Sequence, residues 1–208
     1  KRIGSLGEKM LSLTCKKMMI DHHLFPADFP DLTISYPACP STCELVYRLI
    51  TSLSPISDSR SPITEEIATC IYTGMMTDTG NFSFNSNYAE MYQIVGDLVA
   101  AGVNKDAIYN RVFNAYSADR MRLMGYCLYQ KMKIYPEHHT ALIYLSRKEL
   151  YRFNFQSGDA EGIVNLPLQI KDVYYSVFMR EDKVSPAERG LAKGGKSKIK
   201  ISLRSQGN

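Results

Sequence analysis

Apart from two short strand-like runs near its start, the chain sets its apolar positions at helical spacing before Pro136 and in strand-like runs after it. Ser5 to Leu13 reads as a short helix. Lys16 to Ile20 (KKMMI) reads as a short buried strand, and Leu32 to Tyr36 as a second strand stopped by Pro37. Ser41 and Glu44 have capping-box spacing, and the helix they open sets Leu45, Leu49 and Leu53 on one face. Thr64 caps a helix carrying Ile67, Ile71 and Met75, which runs into the polar turn Thr77 to Gly80. A further amphipathic helix carries Met91, Ile94, Val95, Leu98 and Val99 and ends at Gly102. Asn104 to Tyr109 starts another, and Ala118 to Lys131 is longer, with Met121, Met124, Leu128 and Met132 in register. Thr140 to Leu145, Val173 to Met179 and Lys198 to Leu203 then read as strands. The pattern predicts an α/β protein with a domain boundary near residues 133–139. Ser54 to Pro62 and Glu181 to Gly195 read as loops.

Composition narrows the class. Hydrophobic residues make up 45% and charged residues 22% of the 208, the balance of a globular protein with a sizeable core. The net charge of +4 suits a phosphate-bearing ligand but falls short of a duplex-binding footprint. Seven Lys and Arg stand between Lys183 and Arg204 against one acid, Glu188, either as a solvated surface or as a phosphate contact. The 5 Cys are odd in number and irregular in spacing, so no disulfide framework is expected, and Cys39 and Cys43 read as buried thiols rather than zinc ligands. No apolar run approaches a membrane span, and a cytoplasmic protein with no membrane partner is expected. The chain opens at Lys1-Arg2-Ile3-Gly4 and closes at Gln206-Gly207-Asn208 just after a strand-like run, which reads as a piece of a longer protein.

Two motifs carry chemistry. Asp21-His22-His23 follows an apolar strand, where a carboxylate and two imidazoles can bind a divalent metal or donate to a phosphoryl oxygen. The plain alternative is a surface turn with solvated histidines. Asp78 lies in Asp-Thr-Gly, between two Thr hydroxyls able to fix a carboxylate. An aspartic protease also uses that tripeptide, but it needs two such aspartates in one site and a β-hairpin setting, whereas helices flank this one. His138-His139 has no acidic motif near it and reads as a solvated turn.

MMIDHH followed by TGMMTDTGNF, with PACPSTCELV between them, resembles the motifs of DHH-family phosphoesterases. DAEGIVNLPLQI, VYYSVFMRE and IKISLRS resemble the DHHA1 substrate-binding domain of the nano-RNase and pAp-phosphatase branch. The resemblance implies a DHH catalytic domain over residues 1–135, with a mainly parallel sheet flanked by helices. A helical linker joins it to a smaller α/β DHHA1 domain over residues 136–208. It implies that His22 and Asp78 are metal ligands, that His23 sits by the scissile phosphate, and that Asp21 orients a histidine. Arg204, with Ser202 and Ser205, would hold a substrate phosphate, and Arg2 could lie near the metal site. The implied cofactors are two divalent ions, Mn²⁺ favoured over Mg²⁺, which activate a water for attack on phosphorus.

The implied substrate is a short single-stranded oligonucleotide, a dinucleotide or 3′-phosphoadenosine 5′-phosphate, and not duplex DNA. A homodimer is left open. The resemblance is partial. The family's first two motifs, which supply a His and three Asp, and its GGGH motif are not in these residues, so this stretch alone is expected to be inactive. A RecJ-like single-strand exonuclease would need a longer basic track with stacking aromatics. A pyrophosphatase would carry a different C-terminal domain. A nucleotide-binding module without catalysis is the reading from another class.

Overall fold

The computed structural model describes residues 6–53, 62–181 and 198–206. Arg2 and most of both expected loops, at Ser54 to Pro62 and Glu181 to Gly195, lie outside these residues. The fold is α/β, as the pattern predicted. The chain divides into two compact units, Lys1–Asn114 and Ala115–Asn208.

In the first unit, helix α1 (Leu6–Ser12) buries no residue, and strands β1 (Met18–Asp21) and β2 (Leu32–Ser35) pair in parallel, Ile20 against Ile34 and Asp21 against Ser35. The expected buried strand is thus found, but it is only half-buried: Met18 is more than half exposed. Helices α2 (Thr42–Leu53), α3 (Glu65–Asp78), α4 (Ala89–Ala100) and α5 (Lys105–Phe113) follow. Their core is the cluster of Ala68, Ile71, Met75, Met76, Met91 and Leu98. The Thr64 hydroxyl accepts from the Ile67 N–H at the start of α3, and the Asn104 side-chain oxygen Oδ1 accepts from the Ala107 N–H at the start of α5. Gly102 ends α4 with a positive φ of 108°, as expected.

Two details differ from the sequence reading. Ser41 and Glu44 do open α2, but not as a capping box. The buried Glu44 carboxylate turns inward to Arg48 (2.7 and 2.9 Å) and the Tyr88 hydroxyl, and does not reach back to the helix start. Gly74, midway along α3, packs against α2: a Cβ built there would lie 2.1 Å from Cys43 Sγ.

The second unit begins earlier than expected, because helix α6 (Ala118–Tyr126) packs with the strands that follow it. Leu123 and Cys127 face that core, and Met121 is half exposed, so the expected methionine register is off by a fraction of a turn. The last turn, Cys127–Lys131, is a π-helix. Strands β3 (Lys133–Tyr135), β4 (Thr140–Leu145), β5 (Tyr175–Glu181) and β6 (Ile199–Ser205) form one mixed sheet in that order. The β4–β5 pair is parallel and its outer neighbours are antiparallel. Between β4 and β5 runs helix α7 (Arg147–Arg152), opened by a true capping box of Ser146 and Glu149. One sheet face packs Ile143, Leu145 and Phe178 against Leu123, Leu150 and Ile163. On the other, Tyr175, Ile199, Ile201 and Leu203 are more than half exposed.

Candidate active site

β1 ends on Asp21, so His22 and His23 leave the sheet at the carboxyl end of its strands, where ligands of open α/β sheets bind. Asp21 Oδ1 accepts from the His22 backbone N–H at 3.0 Å and from His23 Nδ1 at 2.6 Å. The His23 bond is the main reason that the Asp21 carboxyl lies below its ordinary pKa, against the opposing effect of burial. The two rings meet edge-on, their centroids 4.5 Å apart.

His22 is held from behind. Its Nδ1 lies 3.0 Å from the Cys39 carbonyl oxygen, which can only accept. The proton of the neutral ring therefore sits on Nδ1, and Nε2 presents a lone pair. That lone pair lies 4.0 Å from Asp78 Oδ2. Asp78 is the last residue of α3, where the helix dipole disfavours a negative charge. The offsetting contact is the Ser41 hydroxyl, wholly buried, which donates to Asp78 Oδ2 at 3.0 Å and accepts from the Cys43 N–H at 3.1 Å. Residues 39–41, all buried, thus hold both His22 and Asp78. Sequence reasoning missed this. The Ser41 hydroxyl was assigned to the helix cap, and nothing in a sequence marks a carbonyl as a histidine's partner.

The structure therefore brings Asp21, His22, His23 and Asp78 together. His22 Nε2 and the Asp78 carboxylate oxygen face each other 4.0 Å apart. Metal–ligand bonds of about 2.1 Å let one ion bridge donors up to about 4 Å apart, so the pair fits a divalent cation. Among the described residues no group of three or more His, Cys, Asp and Glu converges on a metal position. The cysteines nearby are free thiols. Burial pushes Cys39 up to about 11, and burial and then the Asp78 carboxylate raise Cys43, so neither offers a thiolate.

The other candidates lie on β6. Register places Lys200, Ser202 and Arg204 on the sheet face that carries Phe178, and Ser205 on the opposite face with Leu203. Ser205 is thus separated from Ser202 and Arg204, by the two-residue period of a strand. Arg204 is exposed, and its Nη1 donates to the Leu203 carbonyl at 2.8 Å. With Arg180 and Phe178, Lys200, Ser202 and Arg204 line a cavity of about 390 Å³. The second histidine doublet is a surface turn in which His139 is not simply solvated: its Nδ1 lies 2.9 Å from the Asp172 carbonyl oxygen and its ring stacks on Tyr174.

Comparison with known proteins agrees with the motifs. The model of the DHH family, N-terminal domain, matches residues 5–75. The chain is similar to the bifunctional oligoribonuclease and PAP phosphatase NrnA of Thermus thermophilus, 28% identical over 89% of this chain and 53% of the relative. The Bacillus subtilis protein of the same description is 22% identical over 86% of this chain and 55% of its own length. Among solved structures, an exopolyphosphatase-related protein from Bacteroides fragilis is 47% identical, with a TM-score of 0.85 over 99% of this chain and 55% of that one. The chain spans about half the length of these relatives. Residues 5–75 thus carry a domain of the DHH family, and the chain as a whole is similar to oligoribonuclease and PAP phosphatase relatives.

Proposed function

We propose that this chain carries part of the active site of a metal-dependent phosphoesterase that cleaves short oligonucleotides or dinucleotides, and also 3′-phosphoadenosine 5′-phosphate. The observation that carries the reading is the facing pair of His22 Nε2 and Asp78 Oδ2, 4.0 Å apart and fixed by the buried Cys39 carbonyl and Ser41 hydroxyl. A neutral His22, its proton on Nδ1, would present an acceptor beside the Asp78 carboxylate, an arrangement that suits a cation. The names of the Thermus and Bacillus relatives support oligoribonucleotides and PAP as substrates.

His22 and Asp78 would hold one of two divalent ions, Mn²⁺ favoured over Mg²⁺ because an imidazole ligand suits the softer of the two. Such an ion, when bound, supplies charge neutralisation at phosphorus and a water of lowered pKa. His23 then does the work of the chain itself. Asp21 accepts from Nδ1 of its ring and would stabilise the imidazolium, whose Nε2–H would donate to a phosphoryl oxygen or to the leaving group. In the second unit, Arg204 and Ser202 hold a substrate phosphate. The division of labour expected for residues 1–135 and 136–208 stands in this proposal, with α6 reassigned to the substrate-binding unit.

Hydrolysis of a dinucleotide by the full-length protein with added Mn²⁺ tests the reading. His23→Ala should lower turnover by at least about a hundredfold while far-UV circular dichroism stays unchanged. Full turnover in that variant would remove His23 from the mechanism. Absence of hydrolysis in the wild type would leave a nucleotide-binding module instead.

A further inference from the structure

The turn that follows Asp78 is built around one aromatic ring. Gly80, Asn81 and Phe82 have positive φ of 56°, 58° and 61°, three left-handed residues in a row. Glycine takes that conformation freely and asparagine tolerates it, but a bulky side chain adopts it only under strain. Several bonds hold the turn there. The Thr79 hydroxyl, on a wholly buried residue, donates to the Met75 carbonyl at 2.7 Å and accepts from the Phe82 N–H at 2.9 Å. The Thr79 carbonyl accepts from the Ser83 and Phe84 N–H groups, each at 2.9 Å, and the Met76 carbonyl accepts from Asn81 at 2.7 Å. The Phe82 ring packs beside Tyr72, centroids 5.6 Å apart.

Folding the chain back in this way seats the Phe84 ring on Gly80. A Cβ built at Gly80 would lie 2.5 Å from Phe84 Cε2 and 2.7 Å from Cδ2, so only glycine leaves room for the ring. Phe84 is nonetheless 64% exposed: part of the ring is seated and the rest faces water. Backbone strain that serves no burial is a mark of functional sites. The seat is also close to the candidate chemistry. Gly80 is two residues past Asp78, about 7 Å along the backbone at most. That is a distance a sugar spans between its phosphate and its base.

We propose that Phe84 is the stacking platform for the nucleobase nearest the phosphate at His22 and Asp78, so that the first unit reads a base as well as a phosphate. The inference rests on the phosphoesterase reading and deepens it. Nucleotide esters are the preferred substrates, and sugar phosphates without a base are poor ones. Every base has a π-face, so the platform takes all of them and favours the larger purines.

Steady-state kinetics of the full-length protein in Mn²⁺ test this, with a diadenosine dinucleotide and its two abasic analogues, each lacking one base. In the wild type the KM for one abasic analogue should exceed that for the dinucleotide by about tenfold or more, the ordinary worth of a stacked base. Phe84→Leu keeps an apolar side chain on the Gly80 seat but has no π-face. It should raise the KM for the dinucleotide about tenfold, leave kcat within about twofold, and erase the discrimination against that analogue. Phe84→Tyr should restore both. Discrimination that survives in Phe84→Leu, with or without a general fall in kcat, makes Phe84 a structural residue and overturns the proposal. A wild type that handles all three substrates alike overturns it too. Calorimetry of the same ligands in a His23→Ala background reads binding apart from turnover. A wild type without turnover sinks the phosphoesterase reading alone, and the calorimetric preference, kept or lost in Phe84→Leu, then decides the platform.

Discussion

The two units handle charge in opposite ways. In the first, His22 and Asp78 come from segments far apart in sequence and present acceptors to each other, each held by a buried partner. In the second, Lys200, Ser202 and Arg204 come from one strand, and strand periodicity alone puts them on one face. In the proposed function the first arrangement would hold a cation, and the two long cationic side chains of the second would hold an anion. A metal tolerates little error in its ligands, whereas a flexible phosphate ester tolerates more.

Substitutions can break that contrast. The largest effect is expected at the ligand pair. Asp78→Ala should cut Mn²⁺-dependent turnover by more than about a hundredfold, measured at saturating dinucleotide. Next is Gly74→Ala, because its Cβ has no room beside Cys43 Sγ. It should cost about 1–3 kcal/mol in urea unfolding of the first unit, the ordinary cost of overpacking. Wild-type stability in that variant would show that α2 and α3 are not rigidly spaced.

Ser41→Ala is subtler. It removes the hydroxyl that steadies Asp78 while sparing both candidate ligands, and should weaken Mn²⁺ affinity about tenfold with the fold intact. An unchanged affinity would mean that Asp78 needs no support. The second unit supplies the smallest effect. Burial alone would raise the Glu149 carboxyl, but bonds from Lys131, Tyr126 and Ser146 outweigh it and hold it at about 2. Its ordinary value is 4.5, so folding favours the ionised form. The stability this contributes is present above about pH 4.5 and is lost as pH falls through about 2. Tyr126→Phe should shrink that acid loss by about 1 kcal/mol, read from urea midpoints between pH 5 and pH 2.

Much of the fold was legible in the sequence because it rests on local pattern. The helices from α2 to α5 and the strands β4 to β6 follow apolar spacing, and Gly102 marks a helix end. The failures have physical causes. Apolar spacing offered Met121 for the buried face of α6, whereas Leu123 and Cys127 carry it, and spacing could not locate the π-turn at Cys127–Lys131. The sequence rule for a capping box matches both Ser41/Glu44 and Ser146/Glu149, but only the second forms, because Glu44 finds Arg48 and Tyr88. Ser205 could have been separated from Ser202 and Arg204 by counting alternate strand positions. The four residues of the candidate metal site were legible through their motifs. Their supports were not, since Cys39 acts through its backbone.

The shared support has a consequence for tuning the site. His22 and Asp78 both bond to residues 39–41, so a shift of that segment bears on the two at once. The gap between them can also be altered from residue 41, which touches Asp78 without being one of the two candidate ligands. Lengthening or branching that side chain is therefore the economical route to a site that accepts an ion of a different radius.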